Sequence, residues 1–243
     1  MTLKYKYDNI RMYINLEVNS MKEYILIVVA MDSELNEIRK NMNITETLKF
    51  SNTEYYVGTY NKENVILALS GIGKVNSAIM TTHILTKYNV KYCISIGIAG
   101  GVKANIGDFI LVNKSYYGDF DLRPFGYPLC KVPGVEEFTT KDFMLDELVN
   151  ICKDNNIEYK IGSSFTMDKF VTSLSQVEEI KDDVRCIEME SNSILHACMS
   201  FNTNCIIIRV ISDVVGVTSN ENYLEFEQKS SVILNDFLSK LIK

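Results

Sequence analysis

The chain has 243 residues, 47% hydrophobic and 23% charged, an ordinary globular balance with length for one large α/β domain or two small ones. A net charge of −6 argues against nucleic acid or an anionic membrane as partner, and no apolar run reaches the length of a membrane span. The six cysteines show no C-x-x-C spacing and several sit inside apolar runs, so they read as reduced core residues of a cytoplasmic protein, not as disulfides or metal ligands.

Residues 1–20 are polar, mixed in charge and without the apolar core of a signal peptide; they read as an extension outside a domain running from 21 to 243. Tyr24–Ala30 is a continuous apolar run, expected as a strand covered on both faces. Asp32 or Ser33 is placed to cap a helix that turns Leu35, Ile38 and Met42 inward. Glu34 falls in its first turn, where the helix dipole favours the ionised form; a plain helix-favouring surface acid is the alternative. Glu54–Tyr60 and Val65–Leu69 are expected as strands across the turn Asn61–Asn64. The second runs into Ser70-Gly71-Ile72-Gly73-Lys74 and a helix to about Tyr88. Glycines between strand and helix let a ligand approach the backbone, although the G-x-x-x-x-G-K-[ST] spacing of a P-loop is absent.

Lys91–Gly97 reads as a buried strand ending in Gly97-Ile98-Ala99-Gly100-Gly101, and Phe109–Tyr116 as the next. The aromatic segment 118–138 that follows is long for a loop inside a compact domain, which points to function. Phe143–Cys152 is expected as a helix and Glu158–Phe165 as a strand. Ser175-Gln176-Val177-Glu178 has the spacing of a capping box, and Tyr223–Ile242 closes the chain as an amphipathic helix with Leu224, Val232, Phe237 and Leu241. His83 and His196 lie within helical patterns and read as structural or solvent-facing. Between these elements, Val184–Asp213 reads as strand, helix and buried strand. Its first strand ends in Glu188-Met189-Glu190, and its second carries Arg209 and Asp213, two positions from Ile211 on either side and so on one face. Charges in such a run are costly unless paired or used. Either Arg209 forms a buried structural ion pair with one of the acids, or the group serves a ligand where open α/β sheets bind one. Strands and helices alternate throughout, so the expected fold is a single α/β domain around a mostly parallel sheet.

The segments S-G-I-G-K-V (70–75), G-I-A-G-G (97–101), F-G-Y (125–127), V-P-G (132–134), I-E-M-E (187–190) and R-V-I-S-D (209–213) together resemble the methylthioadenosine/S-adenosylhomocysteine nucleosidases, in order and spacing, from about Tyr24 to the C-terminus. The resemblance implies a three-layer αβα sandwich around a twisted mixed, mostly parallel sheet, and a homodimer without cofactor or metal. It implies hydrolysis of the bond between adenine and a 5′-thio-substituted ribose. Asp213 matches the acid that protonates adenine N7, Glu34 the base that takes a proton from the attacking water, and Glu190 the carboxylate that holds the ribose hydroxyls and faces the developing positive charge. Arg209 resembles an arginine near the water and ribose. Phe170 would stack on adenine, Val171 would offer its backbone to the base edge, and Met189 would lie under the ribose. Met31, Ile72, Tyr127 and Tyr223 would line the site of the 5′ substituent. Leu122, Phe125 and Pro133 match a loop, 120–134, that reaches into the partner's pocket; a hydrophobic dimer patch is the plainer reading. Ala99 and Gly100 belong to the glycine-rich segment, where Ile98 stands at a position usually occupied by a serine or threonine that holds the water, a departure that removes a hydrogen-bonding hydroxyl.

Two other functions stay open on the sequence: a phosphate-dependent phosphorylase of the same superfamily, which Glu34 opposes, and a nucleoside-binding protein without catalysis. Methylthioadenosine, S-adenosylhomocysteine and 5′-deoxyadenosine are all candidate substrates.

Overall fold

A long apolar strand organises the middle layer. In a computed structural model, which describes residues 22–177, 184–217 and 220–243, β5 (Asn89–Gly101) runs for 13 residues between β1 (Glu23–Val29) and β9 (Asn204–Val214), parallel to both. β1 pairs on its other edge with β4 (Glu63–Leu69), and β4 continues antiparallel through β3 (Thr53–Tyr60) to β2 (Asn43–Phe50). β6 (Phe109–Tyr117), β7 (Tyr159–Thr166) and β8 (Val184–Glu188) form a second parallel set. β8 joins β5 and β6 joins β9, both antiparallel, so β5, β8, β7, β6 and β9 close on themselves. The sheet is mixed and mostly parallel, as expected.

Helices cover both faces. Leu35 and Ile38 of α1 (Asp32–Lys40), Leu148 and Ile151 of α3 (Leu145–Asp154), and Leu234, Phe237 and Leu238 of α5 (Asn220–Leu241) pack on Ile25, Ile27, Ile94 and Ile208. On the other face, Met80 and Ile84 of α2 (Lys74–Lys87) and Ile194, Leu195 and Cys198 of α4 (Ser191–Ser200) pack on Leu26, Val28, Cys93 and Ile207. Strand alternation sends successive residues to opposite cores, which explains runs apolar at every position. All six cysteines are buried free thiols.

Several expectations needed correction. β2 was not foreseen: its N-I-T-E-T-L-K-F sequence is largely exposed, the mark of an antiparallel edge strand and not of a buried run. The strand expected over Lys91–Gly97 runs from Asn89 through the glycine-rich stretch to Gly101. Neither Asp32 nor Ser33 caps α1; Met31 holds the cap position, and the Glu34 carboxylate reaches back to its N–H. Gln176 Oε1 accepts the N–H groups of Thr172 and Ser173 within a short 3-10 turn, Leu174–Val177; Glu178 and the extension at 1–20 lie outside the described residues. In α5, Phe237 and Leu241 are buried, but Leu224 and Val232 are 54% and 57% exposed, because Leu234 and Leu238 complete the inward stripe. His83 stacks on Phe50 at 3.7 Å between ring centres, and His196 Nδ1 lies 3.2 Å from the Tyr117 hydroxyl.

Candidate active site

The ends of β1, β5, β8 and β9 meet around one cavity, the place where α/β sheets present loops to ligands. Glu34 comes from the first turn of α1, which follows β1 after only Ala30 and Met31, and is 3% exposed. Its Oε2 accepts the N–H groups of Ala30 at 2.9 Å and Met31 at 3.1 Å, and its Oε1 that of Ile98 at 2.9 Å. Burial nevertheless pushes the carboxyl above the usual range, against those three bonds and the Arg209 charge. Gly97 makes the approach possible: a Cβ there would lie 2.5 Å from Glu34 Oε1.

Glu190 stands at the cap of α4, 8% exposed, and its Oε1 accepts the N–H of Gly73 at 2.8 Å. Gly73 has φ 99°, in the left-handed region, which lets the turn aim that N–H at the carboxylate. Burial raises Glu190 to about 8; the Glu188 charge adds to this, and the Gly73 N–H and Arg209 oppose it. Asp213, 9% exposed, is raised by burial despite a 2.7 Å bond from the Ser212 hydroxyl.

Arg209 lies behind the cavity and does not line it. Nη1 donates to the Ser95 and Ile208 carbonyls at 3.0 and 2.9 Å, and Nη2 to Ser95 Oγ at 2.9 Å and Glu188 Oε2 at 3.2 Å. Of the two readings of this arginine, the ion pair is therefore present, and its partner is Glu188. That acid, noted in the sequence only as a strand end, also accepts the N–H groups of Glu190 and Ser191 at 2.8 and 2.6 Å and the Thr166 hydroxyl. It caps α4 and lines the cavity. Its signal was the alternation I-E-M-E, which puts Glu188 and Glu190 two residues apart.

Ile98, Ala99 and Gly100 form the β5 side of the cavity, and Met189 enters from the end of β8. Phe170 and Val171 form the opposite wall with Ile72 from the glycine turn. The Phe170 ring meets Tyr223 edge-on at 5.5 Å, and the Tyr223 hydroxyl lies 3.7 Å from Met31 Sδ, which closes that end with aromatic and sulfur groups. Tyr127, expected with them, stands in the loop beyond β6, 41% exposed, beside a 78% exposed Phe125. Leu122, Phe125, Tyr127 and Pro133 do not line the cavity of their own chain. Ser212, Ile187, Val215 and Ala30 do so without having been singled out. Lys169, exposed, is the one basic residue among those described that lines it. None was legible: small and apolar residues carry no chemical signature.

An apolar cleft with four carboxyl groups and, among the described residues, a single exposed lysine suits a neutral ligand and offers an anionic one little to hold it. Residues 24–243 match the family described as the phosphorylase superfamily. The 5′-methylthioadenosine/S-adenosylhomocysteine nucleosidase of Bacillus subtilis is 30% identical over 229 residues, covering 90% of this chain and 98% of that one. The Neisseria meningitidis nucleosidase of the same name, solved in complex with methylthio-immucillin-A, superposes with TM-score 0.85 at 26% identity, covering 92% of this chain and 99% of that one. The futalosine hydrolase of Helicobacter pylori superposes with TM-score 0.84 at 25% identity, covering 91% and 97%. The chain belongs to the methylthioadenosine/S-adenosylhomocysteine nucleosidase family of the phosphorylase superfamily.

Proposed function

We infer that this protein hydrolyses the N-glycosidic bond of 5′-methylthioadenosine and S-adenosylhomocysteine, releasing adenine and the thioribose, with 5′-deoxyadenosine as a further candidate substrate. The observation that carries the reading is the placement of Glu34 and Asp213, both buried and both raised, on one apolar cavity. Burial shifts Asp213 toward its protonated form, and the acid delivers its proton to adenine N7 as the C1′–N9 bond breaks. Glu34, fixed by three backbone N–H groups, takes a proton from the water that attacks C1′. Glu190 holds the ribose hydroxyls. Its carboxyl faces the positive charge that grows on the ribose, so its stabilisation is greatest in the transition state. Phe170 stacks on the base, Val171 addresses its edge through the backbone, Met189 lies below the ribose, and Met31, Ile72 and Tyr223 receive the 5′ substituent. Arg209 acts from behind, through Glu188.

A phosphorylase reading has less support. Among the described lining residues phosphate would meet only one cation, the exposed Lys169, and Lys74, the cation of the glycine turn, is already paired with Asp119 at 2.6 Å and Asp168 at 3.5 Å. The exposed 120–134 loop, with Leu122, Phe125, Tyr127 and Pro133 outside their own cavity, supports a homodimer in which this loop completes the partner's site. Reduced, buried cysteines fit a cytoplasmic setting; no helix among the described residues is long and apolar enough to cross a membrane.

The test is Asp213→Asn, which keeps size and removes the proton donor. Adenine release from methylthioadenosine should fall at least ~10²-fold with substrate binding retained. Near-normal turnover would remove Asp213 from the mechanism, and tight binding without release by the unaltered protein would favour a binding function.

A further inference from the structure

The glycine turn and the base wall are separate in sequence, yet one polar cluster joins them at the rim of the cavity. Lys74 Nζ donates to Asp119 Oδ1 and Oδ2 at 2.6 and 2.8 Å and lies 3.5 Å from Asp168 Oδ2. The backbone N–H of Lys74 donates to Asp168 Oδ1 at 2.9 Å, and the N–H of Asp168 to Asp119 Oδ2 at 3.0 Å. Three segments therefore converge: the turn with Ile72 and Gly73, the first residues after β6, and the stretch that continues to Phe170 and Val171. Asp168 stands two residues before Phe170, and Gly73, adjacent to Lys74, gives its N–H to Glu190. The base wall and the contact to the ribose carboxylate thus hang on the same two-residue turn.

We propose that Lys74, with Asp119 and Asp168, is a clasp whose role is to hold the base wall closed over the nucleoside, making Lys74 a positioning residue for the reaction; the role in turnover rests on the nucleosidase reading above. Without the clasp, Phe170 and Val171 must be ordered by the substrate itself, and that ordering weakens binding. The Gly73 N–H bond to Glu190 uses backbone and survives loss of the Lys74 side chain, so the chemical step is largely spared.

The side chains of Lys74, Asp119 and Asp168 are 23%, 29% and 47% exposed, so salt reaches and screens the cluster. Methylthioadenosine carries no net charge at neutral pH, and a salt response of its KM must come from the protein. In Lys74→Met, KM for methylthioadenosine should rise about tenfold while kcat changes within about threefold. The wild-type KM should rise with ionic strength, and that of Lys74→Met should not. Lys74→Arg, which keeps the charge and both partners, should restore KM and its salt response. Asp119→Asn removes the charge that pairs with Lys74 without touching the turn and should move KM in the same direction, so a folding failure of Lys74→Met leaves the comparison intact. A KM and salt response in Lys74→Met and Asp119→Asn equal to wild type would overturn the clasp. Should the wild-type protein release no adenine at all, the nucleosidase reading fails separately. The clasp is then judged by calorimetry with adenine: binding weakened about tenfold in Lys74→Met supports it, and unchanged binding overturns it.

Discussion

Arg209 and Glu188 face each other at 3.2 Å in the interior, their side chains 4% and 2% exposed. The same Glu188 oxygen takes the N–H groups that open α4, so the pair also fixes where Glu190 starts. Removing one partner of such a pair strands the other charge, and the desolvation loss exceeds the attraction regained from any neighbour. Glu188→Gln should therefore lower the free energy of unfolding by about 3–5 kcal/mol, read from denaturant midpoints at constant slope. A loss below about 1 kcal/mol would mean that water or a rearranged Arg209 satisfies the site.

Ile98 places its side chain on the cavity wall, 8% exposed, while its backbone N–H holds Glu34. Ile98→Ser keeps that backbone bond and adds a hydroxyl to the wall beside Glu34, the base proposed for the attacking water. Hydrolysis should be preserved or raised, at a stability cost of about 2 kcal/mol for the lost apolar contact. A large fall in turnover with the fold intact would show that the chain has rebuilt its water site around the isoleucine.

Stability should depend on pH through Glu190. Its folded value of about 8 lies above the ordinary 4.5, so the native state holds a proton that the unfolded chain has released. The sign follows: the contribution is fully present below about 4.5 and is lost as pH rises through about 8. Glu34 and Asp213 are shifted in the same direction. Thermal midpoints of the wild type should fall across that window, and Glu190→Gln, which has no proton to lose, should fall less. Parallel curves for the two proteins would remove Glu190 as the source.

Much of the fold was legible because burial on both faces writes long apolar runs: Tyr24–Ala30, Lys91–Gly97 and Cys205–Asp213 could hardly be anything else. The polar edge strand β2 was not legible, since a strand that faces water has no such signature. Glu190 and Asp213 stood out as acids at the ends of core elements, Glu34 gained its role only through the family resemblance, and the structure brings all three to one cavity. Glu188 was hidden by its neighbour. The sequence shows two acids two residues apart but not which one turns back to cap a helix and which enters the cleft. Tyr127 stands outside its own chain's cavity for a related reason: a loop's direction is set by contacts outside its own residues.

On the hydrolase reading, water and not phosphate attacks C1′ in the cavity. The direct measurement is the mass of the sugar product when methylthioadenosine is turned over in ¹⁸O-labelled water with phosphate present. Adenine and free methylthioribose carrying one labelled oxygen should form, at a rate indifferent to phosphate. Sugar 1-phosphate formed only when phosphate is supplied would contradict it, and with it the role given to Glu34.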